Sequence, residues 1–271
     1  MTLPFPTTAE EFLIVLVPFV TLLLGLALLV LPGRVLSYMG LRARPDKPEA
    51  IGEGRSSFAG PLLAVALCCL LLQEPIALQP GLNFVLALGW TIAAFGRLLQ
   101  MVFDSGWRKR IQARFALASI LALLAWYSAD VPTFMCFEVG LTNCYGLESR
   151  FEWILYSTAA LTLLLGLIAL FLPGVALRIL RLEDRMRYPF GIGEPRGALA
   201  GFYTSLGVTT LLTPQPLDFV ALMLGAAWLF TGAGRALSMV FDRGFTPYNI
   251  AGTVFEVGIG VALLGTMFRL F

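Results

Sequence analysis

Eight runs of mainly apolar residues dominate the chain, each about the 20 residues that a helix needs to cross a bilayer core about 30 Å thick. They extend over Phe12 to Pro32, Ser56 to Gln73, Leu82 to Phe103, Ile111 to Ser128, Trp153 to Pro173, Gly197 to Thr213, Leu217 to Phe241, and Ile250 to Leu270. With 58% hydrophobic and 13% charged residues and a mean hydropathy of +0.82, a chain of 271 residues has more apolar surface than a water-soluble domain can bury. The expected fold class is an all-α membrane protein with eight transmembrane helices. Met1 to Glu11 lacks the basic segment and small-residue cleavage site of a secretory signal, so the first run is expected to be a retained span.

Orientation follows from where the basic residues fall between the runs. Arg34, Arg42, Arg44, Lys47 and Arg55 lie in the first connection, and Arg108, Lys109, Arg110 and Arg114 in the third. Arg178, Arg181, Arg185, Arg187 and Arg196 lie in the fifth, and Arg243 in the seventh. The opposite side carries Arg150 and Arg269, beside the acidic or neutral segments around Glu10, Glu74, Asp130 and Glu138. This asymmetry implies a bacterial inner-membrane protein with both ends of the chain on the periplasmic side. A net charge of +2 without a basic stripe interleaved with aromatics gives no reason to expect a nucleic-acid partner.

The chain matches itself in the same orientation, as an even number of spans per copy requires. Leu31-Pro32-Gly33 returns as Leu172-Pro173-Gly174, with Gly25 and Gly166 at the same offset. Ile51-Gly52-Glu53-x-Arg55 returns as Ile192-Gly193-Glu194-x-Arg196, followed by Gly60 and Gly201. Trp90 matches Trp228. The block Gly96-Arg97-x-Leu99-x-Met101-Val102-Phe103-Asp104-x-Gly106 matches Gly234-Arg235-x-Leu237-x-Met239-Val240-Phe241-Asp242-x-Gly244. The expected organisation is two parallel-repeat four-helix bundles, residues 1–128 and 153–271, joined by an outer linker loop over residues 129–152.

These residues resemble a bacterial family of four-span membrane proteins, domain of unknown function 4345, in the wider DoxX-like group. Its motif is a Glu-x-Arg opening the second span, a Gly-Arg late in the third with an Asp-x-Gly after it, and a Glu within the fourth. The second half carries Glu194, Arg196, Gly234-Arg235, Asp242, Gly244 and Glu256. The first half departs from the pattern, because Ala118 stands where the offset places the fourth-span glutamate. The resemblance implies the fold and no particular activity.

An ionised side chain at the centre of a membrane helix costs about 2.5–3.5 kcal/mol even on insertion scales, so the charges inside the spans need partners. Glu194, Arg196, Arg235, Asp242 and Glu256 are expected to converge on the cytoplasmic half of the second bundle, and Glu53, Arg55, Arg97 and Asp104 to do so in the first. Arg235 and Glu256 fall at similar depths in adjacent antiparallel spans and are expected to pair. Two readings stand: a structural ion-pair network that holds the helices in register, or a polar site for a charged or amphiphilic ligand or a proton relay.

Gly252 and Gly260 flank Glu256 on one helical stripe, which permits close packing or a ligand cleft. Val175 to Met186 has the pattern of an interfacial helix gripping anionic headgroups, or of a solvated loop. Cys136 and Cys144, in the outer linker loop, are expected to form a disulfide if the backbone turns back there. Cys68 and Cys69 point apart on a helix and are expected to be packing residues.

With no histidine, and without a metal-binding cysteine pattern, neither haem nor metal nor another cofactor is expected. No Ser, Cys or Lys has a local base that would mark a nucleophile. The function expected is that of a non-catalytic binding or accessory component, with the lipid bilayer and a membrane protein as partners. Two alternatives are a small secondary transporter for a charged or amphiphilic solute, and a membrane partner of a quinone or thiol oxidoreductase.

Overall fold

The structure is a computed structural model, and it describes residues 9–72, 79–105, 108–127, 129, 150–185, 191–213, 218–242 and 244–268. Most of the linker loop lies outside these residues, and with it the expected disulfide between Cys136 and Cys144.

Among the described residues the chain is all-α apart from one short ladder. Helix α1 (Ala9–Val30) ends where Pro32 forces Leu31 out of the helical region, at φ −124° and ψ 51°. Pro32 then starts a short helix, α2 (Pro32–Met39), with the proline in the first turn where its missing N–H costs nothing. The two apolar helices Ile14–Val30 and Pro32–Met39 are bent by 113°. Strand β1 (Leu41–Ala43) follows, then a 3-10 turn (Pro48–Ile51), a π-turn (Gly54–Phe58) and α3 (Ala59–Leu71). Helix α4 (Gln79–Gln100) runs into a second π-turn (Met101–Ser105), and α5 (Lys109–Tyr127) completes the first half.

The second half is built in the same order. Helix α6 (Arg150–Phe171) breaks at Leu172, with φ −123° and ψ 54°, into α7 (Pro173–Ile179) and strand β2 (Leu182–Asp184). A π-turn (Pro195–Leu199) leads into α8 (Ala200–Leu212), followed by α9 (Asp218–Phe241) and α10 (Pro247–Met267). The interfacial helix expected over Val175 to Met186 is thus shorter. Its chain leaves the helix at Arg181, which has φ 56°, and pairs as a strand from Leu182.

The two strands pair antiparallel with Arg42 opposite Glu183, Leu41 opposite Asp184 and Ala43 opposite Leu182. Arg42 and Glu183 hold matching places in the two halves, and they face each other at the centre of the ladder. The flanking bonds are also reciprocal: Arg44 N donates to Arg181 O at 3.2 Å, and Arg185 N to Gly40 O at 2.8 Å. Such self-complementary pairing is what two like units make about a two-fold axis.

The halves do not pack as two separate bundles, which corrects the expectation of one bundle per half. Helix α3 packs on α1 from its own half and on α9 from the other; α8 packs on α6 and on α4. The contacts of α3 with α4, and of α8 with α9, are far less extensive. Small residues set this arrangement. A Cβ on Gly60 would collide with the backbone of Thr231, and one on Gly201 with the carbonyl of Gly89. Within each half a tryptophan ties the third long helix to the first: Trp90 Nε1 donates to Thr21 Oγ1 and Trp228 Nε1 to Thr162 Oγ1, each at 3.0 Å.

Five helices among the described residues are long and apolar enough to cross a membrane, and six if the bent pair is one span. Helix α5 begins with Lys109, Arg110 and Arg114, and α8 is 13 residues long beyond its π-turn. The outward faces are apolar: Leu123, Val240, Val254 and Phe103 are all more than half exposed. An apolar surface of this kind suits lipid and would drive aggregation in water. Cys68 and Cys69 are buried, with Cys69 Sγ 3.5 Å from the carbonyl of Leu82, in keeping with a packing role.

Candidate functional site

The charged motif residues lie at the end of the molecule that carries the strand ladder, and they meet across the halves. A Cβ on Gly234 would overlap the carbonyl of Arg55, and one on Gly96 that of Arg196. The glycine in each Gly-Arg pair therefore lets its helix touch the π-turn of the other half. The next residue, Arg235 or Arg97, is thereby carried to the glutamate at the start of that turn.

Arg235, 5% exposed, sits between two buried carboxylates, Glu53 and Glu256. Its Nη1 donates to Glu53 Oε1 at 2.6 Å and to Asn249 Oδ1 at 3.4 Å. Its Nη2 donates to Glu53 Oε2 at 3.2 Å and to Glu256 Oε1 at 2.7 Å, and Nε to Glu256 Oε2 at 2.9 Å. All five guanidinium N–H groups are thereby used. The π-turn widens the helix after Glu53, so that Ser57 and Ser56 donate to Glu53 Oε2 at 2.7 and 3.2 Å. Beside this cluster Arg55 pairs with Asp242, Nε to Oδ2 at 2.8 Å, and also donates to the carbonyl of Leu29.

The matching cluster joins Glu194 to Arg97, whose Nη2 lies 3.4 Å from Glu194 Oε2, and joins Arg196 to Asp104. Arg97 Nη1 also donates to the carbonyl of Ala93, while its buried Nε has no acceptor among the described residues. Convergence of Glu194, Arg196, Arg235, Asp242 and Glu256 in one bundle is therefore corrected. Glu194 and Arg196 serve the cluster of Arg97 and Asp104, and Glu53 and Arg55 serve that of Arg235, Asp242 and Glu256.

The two clusters differ at three positions of the last helix of each half, with Ile111 in one standing where Asn249 stands in the other. The ungapped match that sets Ala118 opposite Glu256 also sets Arg114 opposite Gly252. One cluster thus holds one arginine and two glutamates, the other Arg97, Arg114 and the single Glu194. Arg114 donates from Nη1 to Glu194 and from Nη2 to the carbonyl of Tyr38 at 2.6 Å, and its guanidinium lies 5.1 Å from the centre of the Tyr38 ring. Sequence reading alone does not find Arg114, because its position places it with the loop charges; the departure at Ala118 is the signal that points to it.

Where Gly252 replaces that arginine, a cavity of about 400 Å³ opens. Helices α6, α7 and α8 wall one side of it with Leu165, Ile168, Ile179, Leu180 and Tyr203, and Trp228, Tyr248 and Phe255 wall the other. Its polar end is formed by Arg235, Glu256 and Ser57. Tyr248 bridges the two walls, donating from its hydroxyl to the carbonyl of Ile179 at 3.0 Å. Arg181 lies over the same ring, 3.6 Å from its centre, and pairs with Glu49 at 3.3 Å. No group of histidine, cysteine or acidic side chains that could hold a metal ion occurs among the described residues. No family model, curated protein or solved structure matches the chain.

Proposed function

We propose that the chain is a non-catalytic binding component of a bacterial inner membrane, and that it holds one amphiphilic molecule in the cavity beside Arg235 and Glu256. The observation that carries this reading is the contrast between the halves. One cluster is plugged by the chain's own Arg114, whereas its counterpart leaves about 400 Å³ lined mainly by apolar side chains with charge at one end. That volume lies in the range of small-molecule sites, and the mix of apolar walls with a few convergent polar groups is what such sites show.

In this reading the chain crosses the membrane eight times as two like four-span units, with its basic end in the cytoplasm and both ends of the chain outside. It fits the resemblance to domain of unknown function 4345 and the DoxX-like group. The units exchange their second spans, so each cluster is completed by the other half. A transport role is the second reading. It is favoured by one observation, the π-turns at matching positions, Gly54–Phe58 and Pro195–Leu199, where broken helices would line a substrate path.

Native mass spectrometry of the protein released from a mild detergent tests the proposal. One co-purifying amphiphile per chain is expected, and it should be lost in the double variant Gly252→Arg with Glu256→Ala, which copies the residues of the other half. Equal retention by both proteins would refute the binding role, and a stoichiometric protein in place of a small molecule would replace it with an accessory one.

A further inference from the structure

Within that binding reading, the polar end of the cavity decides which head group fits. Arg235 has no N–H left to offer, because Glu53, Glu256 and Asn249 take all five. Glu53 accepts four bonds, from Arg235 and from Ser56 and Ser57, and is not among the residues that line the cavity. Each oxygen of Glu256 accepts one bond from Arg235, and a carboxylate oxygen can accept two. What the cavity still presents is therefore acceptor capacity.

Charge points the same way. Arg55 is matched by Asp242 and Arg181 by Glu49, whereas Arg235 faces both Glu53 and Glu256. One negative charge is left over in a site of low polarity, where an uncompensated charge is costly. Aromatic rings attract cations to their faces, and Trp228, Tyr203 and Phe255 line the cavity. The chain also contains its own analogue of the complex. In the matching cluster a cation on an aliphatic stem, Arg114, enters from the last helix, pairs with Glu194 and lies over the ring of Tyr38.

We propose that the cavity takes an amphiphilic amine, a molecule with a cationic nitrogen head and an apolar body, seated against Glu256 as Arg114 is seated against Glu194. The ligand restores the missing positive charge. Its body lies along Leu165, Ile168 and Leu180.

The test uses the full chain in nanodiscs of uncharged lipid, with three radiolabelled probes that share one tail: octylammonium, octanesulfonate and octanol. The ammonium probe should bind saturably at one per chain and at least about tenfold more tightly than either other probe, a difference that one desolvated cation–carboxylate or cation–ring contact can supply. Glu256→Gln should weaken the ammonium probe by about tenfold and leave octanol unchanged. Sulfonate binding as tight as ammonium binding on the wild-type protein would overturn the proposal without recourse to any variant. If sulfonate or octanol binds as tightly as the ammonium probe and is excluded by the double variant Gly252→Arg with Glu256→Ala, the cavity is a ligand site and the cationic head is wrong. If no probe distinguishes the double variant from wild type, the binding role falls too.

Discussion

Arg55 reaches out of the first half of the chain to Asp242 in the second, Nε to Oδ2 at 2.8 Å, and Arg196 reaches back to Asp104. Both pairs are largely buried, with side-chain exposures of 12% and 14% for the first. Asp242→Ala should therefore lower the unfolding free energy by about 2 kcal/mol, the scale of a hydrogen bond to a charged group. Adding Arg55→Leu should cost much less than it does alone, because the partner is already gone. Denaturant unfolding of the two single variants and the double in detergent measures this coupling, and strictly additive losses would show that the halves are not joined through this pair.

A sharper order is expected around Arg235. Glu53 accepts from Arg235 and from two serines and is 2% exposed, whereas Glu256, among the described residues, accepts from Arg235 alone and lines the cavity. Glu53→Gln should lose about 3–5 kcal/mol, as expected for breaking a buried pair, and Glu256→Gln clearly less. The double change Arg235→Leu with Glu256→Leu leaves Glu53 unpaired, so it should remain unstable until Glu53 is also made apolar. Thermal unfolding of the series decides the order, and full recovery in the double would remove Glu53 from the network.

The Gly-Arg pairs make a separate prediction about close packing. Gly234 and Gly96 press on the carbonyls of Arg55 and Arg196, and a backbone atom cannot swing aside as a side-chain tip can. Gly234→Ala and Gly96→Ala should each destabilise by about 1–3 kcal/mol through overpacking. Gly174, with open space around its Cα, should accept alanine at little cost. Equal effects at all three positions in the same unfolding assay would refute the contact.

Much of this was legible in the residues and some of it could not be. Apolar runs place long helices because periodicity hardly matters in lipid, and the pairing of Arg235 with Glu256 follows from depth and sign. Which half supplies Glu53 does not, because sequence matching shows that Glu53 and Glu194 are alike without showing which arginine each one meets. That choice is made by small residues in contact across the halves, Gly60 at Thr231 and Gly201 at Gly89, and such contacts leave no periodic trace. The π-turn at Gly54–Phe58 was equally hidden, since the polar run Gly54-Arg55-Ser56-Ser57 reads as the mouth of a span and carries no mark of a widened helical turn. The strand over Leu182–Asp184 depends on a partner far away in sequence, Leu41–Ala43, and three residues are too few for a pattern.

Arg181 is the residue whose conformation contradicts its type. It has φ 56°, and the matching position in the first half is Gly40, at φ 84°, which closes α2 in the left-handed conformation that glycine adopts freely. A residue with a Cβ held there costs about 1–2 kcal/mol. The strain is offset by what the guanidinium gains, the face of Tyr248 at 3.6 Å and the carboxylate of Glu49 at 3.3 Å. Arg181→Ala removes both contacts and keeps the strained backbone, whereas Arg181→Gly removes both and relaxes it. The alanine variant should therefore be less stable than the glycine variant by about 1–2 kcal/mol, with wild type close to the latter. Chemical unfolding of the three proteins in one detergent measures the difference directly. An alanine variant as stable as the glycine variant would mean that the backbone at this position is not held left-handed, and that Arg181 is not fixed over the ring of Tyr248 by the turn that carries it.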